Sequence, residues 1–93
     1  MIVGLLRCEC FIGDAQSLKD KRRVIKSVLE RAKNRFNIAA SEVGGQDVWQ
    51  RTTLAFVTVS SSKKIADAEL QNILTIIDQN DEIECVSIDW EWL

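Results

Sequence analysis

The feature that most constrains this fold is the way the hydrophobic period changes along the chain. Residues Ile2 to Ile12 alternate between an uncharged face and a mixed face, and this period of two is typical of a strand covered on one side. From Leu18 onward the apolar residues recur at helical spacing, and Ser17 with Asp20 resembles a capping box. The pattern therefore predicts a first strand followed by an amphipathic helix over about Leu18 to Asn34.

The same change of period repeats in the rest of the chain. The segment from Ile38 to Val43 predicts a short second strand, and Thr52 to Ser60, rich in β-branched residues, predicts a third. A second amphipathic helix is predicted near Lys63 to Gln79, and the alternation from Glu84 to Trp92 predicts the last strand. Short connections and right-handed crossovers then favour an α+β class fold, a ferredoxin-like β-α-β-β-α-β sandwich. In it, two helices cover one face of a four-stranded antiparallel sheet and the other face stays open.

Length and composition predict a single ferredoxin-like domain spanning residues 1–93. With 46% hydrophobic and 28% charged residues, the chain can bury a core and stay soluble. The longest uncharged stretch, Thr52 to Ser62, is well short of the roughly 18 apolar residues that a membrane span needs. Arg7 and Glu9 interrupt the apolar start, unlike a signal peptide. We expect a cytoplasmic protein with no membrane segment.

The chain has three cysteines and no histidine. The lack of histidine removes Ser-His and Cys-His catalysis, and no phosphate-binding glycine loop or metal-ligand spacing is present. We therefore expect no enzymatic activity, no catalytic residue, no metal and no cofactor. Cys8 and Cys10 are expected to be buried reduced thiols on the covered face of the sheet. Cys85 is expected on the opposite face, because Val86 and Ile88 would alternate onto the covered one.

A strong charge asymmetry lies in the first helix. The segment from Ser17 to Arg35 carries eight basic and two acidic residues, a net charge of +6, whereas the whole chain carries −2. A helical wheel places five of the basic residues on one solvent-facing stripe: Lys19, Arg22, Arg23, Lys26 and Lys33. A phosphate backbone favours such a stripe through counterion release. A solvated helix face has the same appearance, and the pI of about 5.1 is not that of a dedicated nucleic-acid binder.

The polar loop after the second strand is the other candidate site. Trp49 and Arg51 are suited either to stack on a base and pair with phosphate, or to anchor a neighbouring subunit. The alternative is that Trp49 folds back over the sheet edge. Glu42, Asp47 and Arg51 are candidates for a structural ion pair. Lys21 lies beside the apolar sector of the first helix, where its stem is expected to follow apolar surface while its ammonium reaches water or a carboxylate.

The open sheet face is expected to mediate self-association. Its first strand exposes Leu5 and Phe11, and the third strand offers apolar groups in both registers, of which Leu54 and Phe56 are the largest. A monomer would then leave an apolar patch of the size that usually marks an interaction site. We expect a homodimer or larger assembly with Leu5, Phe11, Leu54 and Phe56 at the interface.

Three runs of residues resemble the YlxP-like family of small bacterial proteins, a domain of unknown function. They are Gln16 to Arg22 at the first helix start, Asn34 to Asn37 at its end, and Glu42 to Arg51 around the loop. The resemblance spans nearly the whole chain. It implies a ferredoxin-like fold, a tendency to dimerise, no established enzymatic activity, and genes placed beside those of translation and ribosome maturation. Where relatives usually have His, this chain has Gln16.

These observations lead to one leading hypothesis and two alternatives. The leading hypothesis is a non-enzymatic cytoplasmic accessory factor that binds RNA or a ribosomal particle, based mainly on the resemblance and supported by the basic stripe. The first alternative is a protein-interaction or assembly module without nucleic acid. The second is a small-molecule regulatory domain, a role that the fold alone does not assign.

Overall fold

A computed structural model describes residues 1–93. Its six helices and strands follow the predicted order. They are β1 (Ile2–Phe11), α1 (Leu18–Arg35), β2 (Ile38–Gly44), β3 (Arg51–Ser60), α2 (Lys63–Asp78) and β4 (Glu84–Trp92). The four strands form one antiparallel sheet in the order β2-β3-β1-β4. This topology confirms the ferredoxin-like α+β prediction, with β3 and β1 in the centre and β2 and β4 at the edges.

Both helices begin at a serine cap, and for α1 it is the serine that the sequence indicated. The Ser17 hydroxyl accepts a hydrogen bond from the Asp20 amide, and the Asp20 carboxylate accepts one from the Gln16 amide. Ser62 accepts from the Ile65 amide in the same way. These bonds satisfy amides that have no partner within the helix, which fixes where each helix starts.

The core lies between the helices and one face of the sheet. Alternate residues of the central strands are fully buried there, among them Leu6 and Cys8 of β1 and Leu54 and Phe56 of β3. Because Leu6 pairs with Phe56 and Cys8 with Leu54, the apolar alternation of the two strands is in register. The apolar sides of α1 and α2 complete the same cluster.

β4 departs from the simple alternation that the sequence suggested. Its register with β1 shifts between Glu9 and Cys10, so that Glu9 pairs with Ser87 and Cys10 with Cys85, which leaves Val86 as an extra residue. Because of this bulge, Glu84 and Cys85 lie on the faces opposite to those that simple alternation would give them. Neither helix is long and apolar enough to cross a membrane.

Candidate functional site

The outer surface of α1 carries the predicted basic stripe. Its buried side, which includes Val24, Ile25 and Val28, packs on the core, and the five stripe residues on the opposite side are all exposed. The structure therefore brings Lys19, Arg22, Arg23, Lys26 and Lys33 together as one solvated surface, as the helical wheel predicted.

The basic residues of this stripe differ in whether a carboxylate pairs with them. The Arg23 guanidinium forms a two-pronged pair with Glu82, in which the shorter nitrogen–oxygen distance is 2.8 Å. The hydrogen bonds of this pair, helped by its charge attraction, raise the pKa of Arg23 and lower that of Glu82. Lys26 lies 3.9 Å from Glu30, a loose exposed contact of little energy. Lys19, Arg22 and Lys33 have no carboxylate within ion-pair distance.

The loop that carries Trp49 is held against the start of α1. The Lys21 ammonium donates to the Gly45 carbonyl, and Gln50 donates from its side chain to the Gly13 carbonyl. Gly45 adopts a φ of 72°, a conformation that side chains other than glycine rarely take. Trp49 is 53% exposed, so it does not pack under the sheet edge. The structure thus places a solvated indole in a loop tied to the first turn of the basic helix.

Arg51 does not share this surface. It pairs with Phe11 at the end of the β1–β3 ladder, so both side chains lie on the open face of the sheet. The helices cover the other face. Strand alternation therefore turns Arg51 to the side of the sheet opposite the α1 stripe, so the two candidate sites do not form one surface through Arg51.

Glu42 also differs from expectation, because its partner is Lys21. The Lys21 side chain is 1% exposed, and its ammonium lies 3.0 Å from the Glu42 carboxylate, which also accepts a 2.7 Å hydrogen bond from Thr52. Glu42 lies on the covered side of β2, so it does not meet Arg51. The position of Lys21 beside the apolar sector was the signal for this ion pair, and of the two expected destinations for the ammonium, water or a carboxylate, the structure shows the carboxylate.

The open sheet face differs from the predicted dimer face in two residues. Leu54 and Phe56 are fully buried under the helices, since their register with Cys8 and Leu6 puts them on the covered side. Leu5 is half-buried and Phe11 is 37% exposed, both on the open face. The apolar residues of β3 on that face are instead Ala55, Val57 and Val59.

The three cysteines form one group beneath the helices. Cys8 and Cys10 are buried, as predicted, whereas the expectation for Cys85 is wrong because the bulge at Val86 returns it to the covered face opposite Cys10. Burial first, and then the neighbouring Cys85, raise the pKa of Cys10 to about 12 and that of Cys8 still further. Both thiols are therefore protonated near neutral pH, which disfavours them as nucleophiles or metal ligands.

A cavity opens where α2 and β4 diverge. It has a volume of about 530 Å³ and is lined by apolar side chains that include Ile83 and Ile88. Asp78 and Glu84 lie at its margin. No group of three or more Cys, Asp or Glu side chains is arranged to hold a metal ion.

These features define a small α+β domain with an open sheet face and a basic helix. The sequence profile of a family described as "Protein of unknown function (DUF503)" matches residues 3–90. The chain is also 47% identical over 91 residues to a Bacillus subtilis (strain 168) protein described as the uncharacterized protein YlxP, with 98% of this chain and 99% of that protein covered. The chain belongs to the DUF503 family, which confirms the YlxP-like resemblance.

Two solved structures share the fold at low sequence identity. A de novo designed protein, Foldit4, has a TM-score of 0.56 at 14% identity, covering all of this chain and 97% of that one. The second is LarC2, the C-terminal domain of a cyclometallase involved in the synthesis of the NPN cofactor of lactate racemase. It has a TM-score of 0.53 at 8% identity and covers all of this chain and 55% of that one. These likenesses concern the fold alone.

Proposed function

We propose that this protein acts by binding rather than catalysis, as a cytoplasmic accessory factor that contacts RNA or a ribosomal particle through the outer face of α1. The observation that carries the proposal is the exposed basic stripe, in which Lys19, Arg22 and Lys33 have no carboxylate partner. Unpaired cations along one helix face suit a phosphate backbone, whose counterions they displace.

The loop beside the helix start supports the same surface. Trp49 is exposed in a loop that Lys21 holds at the first turn of α1. An exposed indole is suited to stack on an unpaired base while the cations of the helix meet phosphates. Arg51 lies outside this surface, so RNA contact does not depend on it.

A charge-reversal experiment tests the proposal. The Arg22→Glu, Lys26→Glu, Lys33→Glu variant should lose binding to bulk ribosomal RNA in a filter assay, and should no longer co-purify with ribosomal particles. Wild-type binding should weaken steeply with salt, with a log–log slope of about 0.7 to 0.9 per phosphate contact.

Exposed basic residues elsewhere on the two helices offer a matched control. Arg31, Arg35 and Lys64 are exposed but lie off the stripe, and their reversal to Glu changes the net charge equally. This control should retain binding. Equal binding by both triple variants, with unchanged melting temperatures, would contradict an α1 phosphate surface.

We also propose that the chain self-associates through its open sheet face, which supports a second candidate role as an assembly module. Three apolar side chains lie there with no helix over them: Leu5, its cross-strand partner Val57, and the half-exposed Val59. An uncovered apolar sheet face is typical of an interaction surface. If the chain dimerises and the α1 charge-reversal variants bind RNA as the wild type does, the result favours the assembly role over RNA contact through α1.

A further inference from the structure

One edge of the sheet has the properties of a docking site for another strand. β4 pairs only with β1, so the backbone groups along its outer side have no partner strand. Beyond the bulge, Ser87–Trp92 follows Gly4–Glu9 in unbroken register. An unpaired edge of this length is a template for an added strand from another chain.

The two faces of this edge differ in chemistry. Asp89 and Glu91 pair with Arg7 and Leu5 and therefore lie on the open face. On the other face, Ile88 is 42% exposed and Trp90 is 38% exposed, although both lie on the side that the helices cover. The edge therefore presents carboxylates on one face and large apolar groups on the other.

The apolar face of β4 borders the α2–β4 cavity. Ile88 lies in the cavity wall with Leu74 and Ile77 of α2, and the cavity of about 530 Å³ is partly open to solvent. The helices leave Ile88 and Trp90 partly exposed. An added strand would therefore have room to place its apolar side chains against these residues.

From this arrangement we propose that the outer edge of β4 binds an extended peptide in which lysine or arginine alternates with apolar residues. The basic side chains pair with Asp89 and Glu91, while the apolar ones pack on Ile88 and Trp90 beside α2. Backbone hydrogen bonds to β4 supply affinity, and the alternation supplies specificity. This binding uses a different surface from the α1 stripe and is independent of RNA contact.

Charge argues against a second copy of this chain as the occupant. β4 contains Glu84, Asp89 and Glu91 and no basic residue, so pairing two β4 edges would bring carboxylates together. No strand of this chain carries more than one basic residue, since β1 has only Arg7 and β3 only Arg51. The basic-apolar partner must therefore come from a different protein.

A labelled peptide tests the proposal on the full chain. The probe is a fluorescein-tagged peptide of about nine residues that alternates lysine and valine, a typical strand length. Fluorescence anisotropy should show saturable binding that weakens about tenfold in the Asp89→Asn, Glu91→Gln variant. The Glu30→Gln, Asp47→Asn variant makes the same charge change at exposed sites away from β4, and it should bind as the wild type does.

Two further probes separate edge pairing from general attraction, and both use the unaltered chain. A peptide of the same sequence that is N-methylated at every residue should lose binding, because its backbone can no longer donate to the edge. A peptide copying Glu84–Trp92 should not bind. Equal affinity for the methylated peptide, tighter binding of the β4 copy, or equal losses in both charge variants would each overturn the proposal.

Discussion

At the scale of single residues, the buried charge of Lys21 ties three elements together. Its ammonium on α1 contacts Glu42 of β2 and the Gly45 carbonyl, and Glu42 in turn accepts from Thr52 of β3. Taking an ammonium out of water is costly, and only the carboxylate and the carbonyl offset that cost. The group therefore fixes the position of α1 against the loop that carries Trp49 more than it adds net stability.

Removing one member of this group should destabilise the fold. In Lys21→Met, the partly buried Glu42 carboxylate keeps only its hydrogen bond from Thr52, and the free energy of unfolding should fall by about 3 kcal/mol. The Lys21→Met, Glu42→Leu double variant removes both charges and should regain most of that loss. Urea unfolding followed by circular dichroism measures all three proteins. A double variant no more stable than Lys21→Met would show that the ion pair is not the source of the effect.

At the scale of elements, β4 is attached to the domain through close packing at its C-terminal end. Trp92 pairs with Gly4 and packs against the core, and the Lys63 ammonium lies 5.1 Å from the centre of its ring. A Cβ atom at Gly4 would lie only 2.6 Å from the Trp92 ring and 3.0 Å from Leu70. The missing side chain at position 4 is therefore what allows the indole to lie so close to β1.

Substitution at this position should displace the indole. Gly4→Ala should lower the free energy of unfolding by about 1–3 kcal/mol, because the added methyl group overpacks the site. In the Trp92→Leu background the same substitution should cost much less, since the ring that it meets is gone. Urea denaturation of the four proteins gives the coupling between the two sites. Additive effects would mean that Trp92 does not contact position 4.

Most elements were predictable from sequence because local signals agreed with tertiary packing. α1 starts at Leu18 as its serine cap indicated and extends one residue past the predicted end, to Arg35. The bulge at Val86 was not predictable, because an extra residue in a strand leaves no mark in an alternating pattern. It returned Cys85 to the covered face. The register of β3 was equally hidden, since Leu54 and Ala55 belong to two faces that are both apolar, and only pairing with β1 decides between them.

At the scale of the whole molecule, the arrangement of charged and apolar residues on the surface determines how many faces can bind a partner. The helices cover one side of the sheet, α1 adds a cationic outer face, and the net charge of −2 means that the remaining surface is acidic on balance. The open sheet face carries charges of both signs. Arg7 and Glu9 flank its centre, and apolar residues of β1 and β3 surround them.

The open face should make the chain a dimer in solution. A two-fold pairing is self-complementary, so Arg7 of one copy can meet Glu9 of the other while Leu5 and Val57 become covered. Sedimentation equilibrium at micromolar concentration should give twice the chain mass of 10.5 kDa. Val57→Lys places a charge in the apolar patch and should give the monomer mass. Ile65→Lys is the matched control, because Ile65 is 58% exposed on α2, away from this face, and its variant should remain dimeric. A wild-type mass near 10.5 kDa would mean that the open face is solvated in the free protein.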